Sequence, residues 1–415
     1  MVESFDYLII GNGIAGVSAA ETIRGEDASA SIAIITDESH PLYSRVLLPN
    51  YVKGLIPREK VFLRKPEDYT AKRITCFTGV PAVHLDTADT TVHLADQRGF
   101  RFGKLLIASG GKPRSFGGGE VTPFGVSRFQ TIEDADGIRS LLPQSHQALV
   151  VGGGFIALEF LDALSRAGVT TNLLIQEERF FERFLDSAGS TMLEENFFTH
   201  GVKEIIRGEK LTAIEGQDRV SAVTTESRKL IPCDFLGIGI GIEKSIGWLR
   251  TTDVSITPRG IFANEFLETT IPGIFAAGDV ADFYDVITRR YRSHGNWSNA
   301  FLQGKTAGWN MVHPDGQQPF RSVPFYSITN LGFNIIFVGA VEIGQGVETT
   351  VRRDPEKGMY ERFFIAEDRL VGAVIINRPP DKLAVTTLIE RAHPLGAWRG
   401  QLHDASFNLA STISS

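Results

Sequence analysis

Three glycines near the start of the sequence have the spacing of a phosphate-binding backbone turn. Gly11, Gly13 and Gly16 follow the apolar run at residues 7–10 and precede a stretch of good helix formers. In such a turn the first glycine permits a tight bend, the second lets the backbone approach a pyrophosphate, and the third lets the helix pack closely on the strand. The N-terminus of the helix then offers unpaired N–H groups to phosphate oxygens. The pattern predicts a dinucleotide site.

Two acidic residues stand where such a site needs a partner for ribose. A second apolar strand at residues 32–35 leads to Asp37 and Glu38, and Asp37 lies 26 positions after Gly11. A carboxylate at the end of this strand can accept hydrogen bonds from ribose hydroxyls. Strand, turn, helix and acid therefore occur in the order that a dinucleotide fold requires.

The same pattern occurs a second time in the middle of the chain. The apolar run at residues 147–151 leads into Gly152, Gly154 and Ala157, and a further strand is expected at residues 171–175. Two such units in one chain are much more specific evidence than one. The sequence therefore predicts two dinucleotide sites.

The segments that follow define the expected domains. Residues 270–281 form an apolar strand that ends in Gly-Asp, which indicates a return to the first domain. Beyond about residue 319, short alternating strands and a helix near residues 381–392 indicate a separate module, and we expect the last ten residues to be a frayed tail. We predict an α/β fold of two nested Rossmann-like dinucleotide-binding domains with a C-terminal α+β domain. The predicted domains are residues 1–112 with 243–317, residues 113–242, and residues 318–415.

Composition excludes several other classes of protein. A net charge of −7 argues against nucleic acid or an anionic membrane as the partner. No apolar run approaches the roughly 18 residues of a membrane span, and we expect a cytoplasmic protein. The two cysteines, Cys76 and Cys233, are far apart in apolar strands, so neither a disulfide nor a structural zinc site is expected. The nine histidines show no metal-ligand spacing, and we predict no metal site.

Four motifs together make the chain resemble the flavoproteins of the pyridine nucleotide-disulfide oxidoreductase superfamily. They lie at residues 11–16, 104–110, 152–159 and 270–281. The resemblance covers essentially the whole length. It implies FAD in the first domain, a nicotinamide dinucleotide in the second, and a C-terminal domain that could form a homodimer interface.

The resemblance also implies which residues bind each cofactor. Those expected at FAD are Gly11, Gly13, Ile14, Ala15, Gly16, Asp37, Glu38, Arg45, Ala82, Ser109, Gly110, Gly278, Asp279 and Trp297. Those expected at the nicotinamide dinucleotide are Gly152, Gly154, Phe155, Ile156, Glu159, Glu177 and Gly241.

The choice between NADH and NADPH depends on the end of the strand near residue 175. In NADH-using relatives the ribose acid would fall at Ile175, which cannot bond hydroxyls. Glu177 and Glu178 follow closely and would repel a 2′-phosphate, whereas Arg179 and Arg183 could favour one. We expect NADH rather than NADPH.

The sequence lacks the cysteines that relay electrons in the disulfide reductases of this superfamily. In the coenzyme A disulfide reductase and NADH peroxidase branch, a single cysteine occupies the position that is Val46 here. Thiol relay is therefore disfavoured, and direct transfer from reduced flavin to an acceptor remains. Residues 43–51 and 181–186 are similar to the electron-input half of NADH-dependent nitrite reductase and to rubredoxin and ferredoxin reductases. Residues 297–304 resemble a helix of the ferredoxin reductases.

Four residues are candidates for a role near the reacting atoms. The resemblance places Arg45 near the flavin edge, Glu159 near nicotinamide and flavin, and Phe155 over the flavin face. Ferredoxin reductases often carry a lysine near the flavin N5 where this chain has Asn50, and Lys53, one turn later, is the expected substitute. From the residues alone, Glu159 could instead be a favourable acid at a helix N-terminus, and Phe155 a core aromatic.

A basic segment indicates the electron acceptor. Arg289, Arg290 and Arg292 form an expected loop between the Gly-Asp motif and Trp297. On an acidic protein, a local positive patch suits an acidic electron-carrier protein such as a ferredoxin or rubredoxin, and a solvated loop is the alternative. We therefore expect an FAD-dependent NADH:acceptor oxidoreductase. The alternatives are an electron-input subunit of a larger, nitrite-reductase-like complex and a slow-turnover redox-sensing flavoprotein resembling apoptosis-inducing factor.

Overall fold

The computed structural model describes residues 2–116 and 123–413 of the chain. The chain divides into two compact units. Unit 1 comprises Met1–Ser44, Arg58–Lys112 and Glu243–Phe325, and unit 2 comprises Arg45–Pro57, Pro113–Ile242 and Tyr326–Ser415. The three-domain division predicted from the sequence stays a prediction.

The strands are given in chain order. They are β1 (Glu3–Ile10), β2 (Ile32–Ile35), β3 (Ile74–Phe77), β4 (Ala82–Asp86), β5 (Thr91–Leu94), β6 (Gly99–Ile107), β7 (Gly111–Pro113), β8 (Val126–Ser127), β9 (Gln147–Val151), β10 (Thr170–Leu174), β11 (Val202–Ile206), β12 (Leu211–Glu215), β13 (Ala222–Thr225), β14 (Leu230–Pro232), β15 (Phe235–Ile238), β16 (Ile242–Lys244), β17 (Ile256–Thr257), β18 (Gly260–Ala263), β19 (Ile274–Ala276), β20 (Ala281–Asp285), β21 (Arg290–Arg292), β22 (Phe325–Asn330), β23 (Phe333–Gly339), β24 (Glu348–Asp354), β25 (Met359–Ala366) and β26 (Arg369–Ile376).

The α-helices are α1 (Ile14–Glu26), α2 (Leu48–Val52), α3 (Pro66–Ala71), α4 (Ile132–Leu141), α5 (Phe155–Arg166), α6 (Ser187–Thr199), α7 (Trp297–Val312) and α8 (Asp381–Glu390). Short 3₁₀ helices lie at Arg45–Leu47, Arg58–Val61, Leu142–Gln144, Gly247–Leu249, Gly278–Val280, Pro314–Gly316, Pro355–Lys357, Gly396–Gln401 and Leu409–Thr412. In the parts of the chain that are described, we find no helix with the length and apolar content needed to cross a bilayer.

Unit 1 is built on a seven-stranded sheet in the order β3-β2-β1-β6-β5-β4, with β19 paired to β6. The strands β3, β2, β1, β6 and β19 run parallel, and β4 and β5 continue from β6 as an antiparallel meander. Leu8 and Ile9 on β1 are both fully buried although they point to opposite faces, so both faces of the sheet are covered at β1. The helix α1 packs against β1 and β2, and α7 packs against α1 and β19. The pairing of β19 with β6 confirms the predicted return of the chain to its first sheet.

Unit 2 contains a parallel sheet in the order β11-β10-β9-β15-β8 and a small antiparallel sheet of β12, β13 and β14. It also contains a five-stranded sheet in the order β22-β23-β26-β25-β24, on which α8 packs. In the first of these sheets β15 is an inner strand, and its Phe235–Ile238 run is fully buried in the way that parallel strands require.

Two local expectations from the sequence are wrong. The basic segment is not a loop, because β20 and β21 form an antiparallel hairpin in which Tyr284 pairs with Tyr291. Asp285 closes its turn by accepting from the Thr288 hydroxyl at 2.6 Å. The tail is not frayed over its described part, because Leu409 is fully buried and the 3₁₀ helix that contains it packs on α8. Burial of an apolar side chain stabilises this segment where polarity alone suggests disorder.

Candidate functional site

The first glycine turn has the geometry that the sequence predicts. Gly11 has φ of +114° and donates its N–H to the Ile35 carbonyl at 2.7 Å. A Cβ at Gly11 would lie 2.2 Å from the Ala108 carbonyl oxygen, and one at Gly16 would lie 2.0 Å from the Gly11 oxygen. Only glycine fits at these two positions, since real Cβ atoms do not approach backbone so closely.

The middle glycine of this turn faces open space. A Cβ at Gly13 would meet no described atom within 4 Å, and Gly13 stands at the N-cap of α1 without a side-chain capping bond. The first N–H groups of the helix carry positive partial charge and need acceptors. A pyrophosphate fits this cradle in both charge and space.

The second glycine turn repeats this geometry in unit 2. Gly152 has φ of +125° and donates to the Leu174 carbonyl at 2.9 Å, and a Cβ there would lie 2.3 Å from the Gly239 oxygen. Gly154 caps α5 without a side-chain bond and also faces open space. The two predicted dinucleotide turns are therefore equivalent in backbone shape.

An acid lies beside the second turn, and two acids follow β2 in unit 1. In unit 2, a Cβ at Gly153 would lie 3.3 Å from Glu177 Oε2, so this carboxylate borders the turn, whereas Glu178 is exposed. In unit 1, Asp37 is exposed at the end of β2, and Glu38 accepts from the Tyr43 hydroxyl at 2.6 Å. Of the two neighbouring acids in unit 2, Glu177 is therefore the one that borders the turn.

Three buried polar atoms on α7 have no hydrogen-bond partner within the described residues. They are Trp297 Nε1, Asn299 Oδ1 and Gln303 Nε2. The oxygen of the Gln303 amide accepts from the N–H of Gly278 at 2.7 Å, and α7 packs against the 3₁₀ helix that contains Gly278 and Asp279. Buried polar groups are nearly always hydrogen-bonded. A bound polar ligand would supply the missing partners, which fits the FAD expected here.

Lys244 is a charged residue that the sequence analysis did not identify. Its ammonium donates to the Ser293 hydroxyl, and Asp279 and Asp282 lie close enough to act on it electrostatically. Burial lowers the pKa of Lys244, and the two acids oppose that shift. The sequence carries no local signal for this contact, since Lys244 ends β16 and Asp279 lies in the 3₁₀ helix Gly278–Val280, 35 positions later.

The remaining predicted FAD residues lie at several separate places. Ser109 donates from its hydroxyl to the Ser245 carbonyl at 2.8 Å, and Gly110 follows with φ of +63°. Ala82 begins β4 and is half-buried. Arg45, which lies in unit 2, donates to the Gln130 carbonyl at 2.6 Å. Ile14 and Ala15 form the first turn of α1.

A buried ionic cluster joins three segments of unit 2. The Lys53 ammonium lies 2.7 Å from Asp162 Oδ2 and 3.9 Å from Glu159 Oε2. Burial raises the pKa of Glu159, Asp162 acts in the same direction, and the Asn330 amide and Lys53 oppose the shift. Lys53 and Glu159 were both predicted site residues, and the structure brings them together. Asp162 was missed, although an acid one helical turn after Glu159 could have been noticed.

Phe155 lies in an aromatic cluster on unit 2. Its ring centroid is 5.0 Å from Tyr326, 4.9 Å from Phe337 and 5.1 Å from Phe181. Burial raises the pKa of Tyr326, so its hydroxyl stays protonated at neutral pH. Ile156, another residue expected at the nicotinamide dinucleotide, follows Phe155 on α5. Gly241, also expected there, is exposed, and its carbonyl accepts from the backbone N–H of Arg114 at 3.0 Å.

The basic hairpin presents fewer charges than its sequence contains. Arg289 and Arg290 are exposed at and next to its turn, and Arg292 is half-buried. Burial lowers the pKa of His294 to about 4, with Arg292 acting in the same direction, so His294 is neutral near pH 7. The positive charge therefore lies at the turn, beside the exposed ring of Tyr291.

The two cysteines are unreactive by position. Burial raises the pKa of Cys76 and of Cys233 to about 12, and both are free thiols. A thiol that is not ionised near pH 7 is a poor nucleophile. Within residues 2–116 and 123–413, we find no group of three or more side chains arranged to hold a metal ion.

Comparisons with known proteins agree with this geometry. The family model for pyridine nucleotide-disulphide oxidoreductases matches residues 5–304, and that for the rubredoxin NAD+ reductase C-terminal domain matches residues 324–392. The NADH-dependent phenylglyoxylate dehydrogenase subunit epsilon of Aromatoleum evansii is 27% identical over 96% of this chain and 95% of its own. The 5,5'-dehydrodivanillate O-demethylase ferredoxin reductase subunit of Sphingobium sp. (strain NBRC 103272 / SYK-6) is 28% identical over 93% of each chain.

A solved structure shows the same fold. In the crystal structure of the covalent putidaredoxin reductase–putidaredoxin complex, one chain is 24% identical and has a TM-score of 0.91, covering 99% of this chain and 98% of its own. This likeness and the family models confirm the predicted fold class and the resemblance proposed from the sequence. Because the first family model spans most of the chain, including both glycine turns, the chain belongs to the pyridine nucleotide-disulphide oxidoreductase family and is an FAD-dependent NAD(P)H oxidoreductase.

Proposed function

We propose that this chain passes electrons from NADH, through FAD, to a small acidic electron-carrier protein of the ferredoxin or rubredoxin type. The observation that carries the proposal is the combination of two open glycine turns with two cysteines whose pKa values are raised far above neutral pH, Cys76 half-buried and Cys233 buried. Such an enzyme binds two dinucleotides but cannot use a thiol relay, so electrons leave without one. The name of the Sphingobium relative, a ferredoxin reductase subunit, supports a protein acceptor.

The residues of unit 1 account for binding of FAD. The N–H groups of the first turn of α1 would hold the pyrophosphate, and the buried polar atoms on α7 would bond the polar part of the cofactor. Asp37 at the end of β2 would accept from the adenosine ribose. When bound, FAD accepts a hydride from a nicotinamide and releases electrons one at a time. The fold supplies orientation and exclusion of water.

The residues of unit 2 favour NADH. Glu177 Oε2 lies beside the glycine turn, where a carboxylate accepts from the 2′- and 3′-hydroxyls of the ribose and repels a 2′-phosphate. Arg179, which could favour a phosphate, instead donates to Glu182 at 3.2 Å. This arrangement supports NADH over NADPH.

The basic hairpin is the proposed docking element for the carrier. Arg289 and Arg290 give it a positive charge on a chain whose net charge is −7, and Tyr291 adds an exposed aromatic ring. Charge complementarity at such a patch steers an acidic partner and raises its rate of association.

Anaerobic titration of the purified flavoprotein tests the proposal. We expect one equivalent of NADH to bleach the flavin absorbance, and NADPH to do so only at much higher concentration. Turnover should then be fast with a ferredoxin or rubredoxin from an acceptor panel. Absence of bound or rebindable flavin would overturn the proposal. Slow reduction with a long-lived charge-transfer band, and no turnover with any carrier, would favour the redox-sensing alternative.

One observation supports a second function, that of an electron-input subunit. The A. evansii relative is by its name a subunit of a larger NADH-dependent dehydrogenase, and the match covers nearly all of both chains. Affinity purification from the source cells would distinguish the two functions. A stoichiometric complex with an oxidoreductase subunit would favour the second function, and a chain that purifies alone and reduces a free carrier would favour the first.

Several expectations stay predictions. They are the homodimer, the cytoplasmic location, and the cofactor contacts of Arg45, Ala82 and Gly241.

A further inference from the structure

Asp162, which the proposed function does not use, lies in the buried cluster of unit 2. Its carboxylate is almost fully buried on α5, and both of its oxygens have partners. Oδ2 binds the Lys53 ammonium at 2.7 Å, and Oδ1 accepts from the backbone N–H of Leu331 at 3.2 Å. The Arg166 guanidinium lies 3.6 Å from Oδ1. Asp162 thus ties the segment after α2 and the turn after β22 to the middle of α5.

Glu159 lies one helical turn before Asp162 and is bonded differently. Its Oε2 atom lies 3.9 Å from the Lys53 ammonium and has no hydrogen-bond partner within the described residues. The lysine is therefore bound to Asp162 and only borders Glu159. The groups that face Glu159 are Lys53, Asp162 on α5, and Tyr326 with Asn330 on β22.

The charge balance of this cluster depends on which acid holds the lysine. Lys53 and Asp162 together are neutral. Arg166, the other cation at Asp162, has a side chain that is 53% exposed and is not among the groups that act on Glu159, so ionising Glu159 would add a negative charge with no cation of its own in a buried site. Burying such a charge is costly, and the acid takes up a proton instead. If Asp162 were neutral, the same lysine would be the counter-ion of Glu159.

We propose that Asp162 is a positioning residue: it holds the Lys53 ammonium away from Glu159 and thereby keeps the Glu159 carboxyl protonated over a wider pH range. This inference rests on the proposed function in so far as Glu159 borders the nicotinamide site. It assigns to Asp162 a role that neither the family resemblance nor the glycine motifs contain.

The test is a pH titration of the Glu159 carboxyl by infrared difference spectroscopy on the FAD-loaded protein. The band of the protonated carboxyl is assigned to Glu159 by its loss in Glu159→Gln. We expect Asp162→Asn to lower the titration midpoint by about one pH unit or more, because Lys53 then pairs with Glu159. Asp162→Glu should restore the original midpoint, since it returns the carboxylate.

A second variant moves the midpoint in the opposite direction. Lys53→Met removes the cation and leaves Asp162 charged, so the Glu159 midpoint should rise. This variant decides the question if Asp162→Asn does not fold. The matched control is Glu194→Gln, which neutralises another buried acid of the same unit, one that bonds Arg207 at 2.6 Å rather than Lys53. It should leave the Glu159 midpoint unchanged.

Two outcomes would overturn the inference. One is an unchanged Glu159 midpoint in a folded Asp162→Asn protein, or in Lys53→Met if the asparagine variant does not fold. The other is an equal shift in Glu194→Gln, which would mean that any loss of buried charge has the same effect. The titration needs no electron acceptor, so its failure is distinct from failure of the carrier assay, which would count against the proposed function alone.

Discussion

The substitution Gly13→Ala tests cofactor binding at the first glycine turn, because we expect it to weaken FAD binding and to leave the fold intact. The backbone of Gly13 is extended, with φ of −76° and ψ of −178°, so any residue can adopt it, and an added Cβ touches no described atom within 4 Å. Alanine is only a poorer N-cap than glycine, which costs at most about 1 kcal/mol of unfolding free energy. The fold should therefore tolerate the methyl group.

The cofactor should not tolerate it. The methyl group would occupy the space through which a pyrophosphate reaches the N–H groups of α1. Losing one charge-assisted hydrogen bond costs about 1.5–3 kcal/mol, which is about a 10- to 150-fold loss of affinity. We expect the dissociation constant for FAD to rise by that factor while the melting temperature of the apoprotein changes by only a few degrees.

The assay is reconstitution of apoprotein with FAD, followed by quenching of flavin fluorescence. The matched control is Gly25→Ala, because Gly25 lies on the last turns of the same helix and its added Cβ also meets open space. That variant should bind FAD like the wild type and be slightly more stable, since alanine is the better helix former. Equal FAD affinity in Gly13→Ala and wild type would refute the assignment of the phosphate to this turn. A large loss of apoprotein stability would refute the argument from open space.

Three further predictions concern the nucleotide, the partner and pH. Glu177→Gln should weaken NADH binding about 10- to 100-fold, because a hydrogen bond to a charged acceptor is lost. It should also reduce the preference of the enzyme for NADH over NADPH. Equilibrium titrations with both nucleotides measure this, and an unchanged preference would remove Glu177 from the ribose site. Reversing the charges of Arg289 and Arg290 should raise the KM for a protein carrier, most strongly at low salt, and leave turnover with a small dye unchanged; equal losses with both acceptors would contradict docking at the hairpin. The third prediction uses His294, whose pKa falls from 6.5 in the unfolded chain to about 4 in the fold. Because the unfolded state then binds more protons, the free energy of unfolding should be unaffected above about pH 6.5 and fall by up to about 3 kcal/mol between pH 6.5 and 4. Urea unfolding across this range should show a smaller fall in His294→Gln, whereas His146→Gln, at an exposed histidine, should behave like the wild type; parallel pH profiles for all three proteins would contradict the assignment.

Local sequence patterns predicted the parts of the fold whose conformation depends on residues close together in the chain. The two glycine turns need particular residues at particular spacings, because a Cβ at Gly11 or Gly152 would strike the neighbouring strand. Such steric demands leave a readable signature. The paired strands and the helix α7 follow from apolar periodicity in the same way.

The contacts that complete the sites could not be predicted in this way. Lys53 and Asp162 are 109 positions apart and meet only because α5 packs beside the segment after α2. The same holds for Lys244 and Asp279. The basic hairpin was missed because its arginines indicate solvent exposure, whereas strand pairing of Tyr284 with Tyr291 decides its conformation.

The equivalence of the two turns has a consequence for how the chain distinguishes its cofactors. Gly11 and Gly152 have nearly the same φ, and both helices begin at an uncapped glycine facing open space. A turn of this shape recognises a pyrophosphate, which FAD and NADH share, so it cannot choose between them. The choice must come from the surroundings. In the function proposed above, these are the buried polar atoms of α7 in unit 1 and the carboxylate of Glu177 in unit 2. Exchanging the cofactor specificity of the two sites would therefore require substitutions in α7 and in the segment after β10. Substitutions of the glycines alone would abolish dinucleotide binding and would not change which cofactor binds.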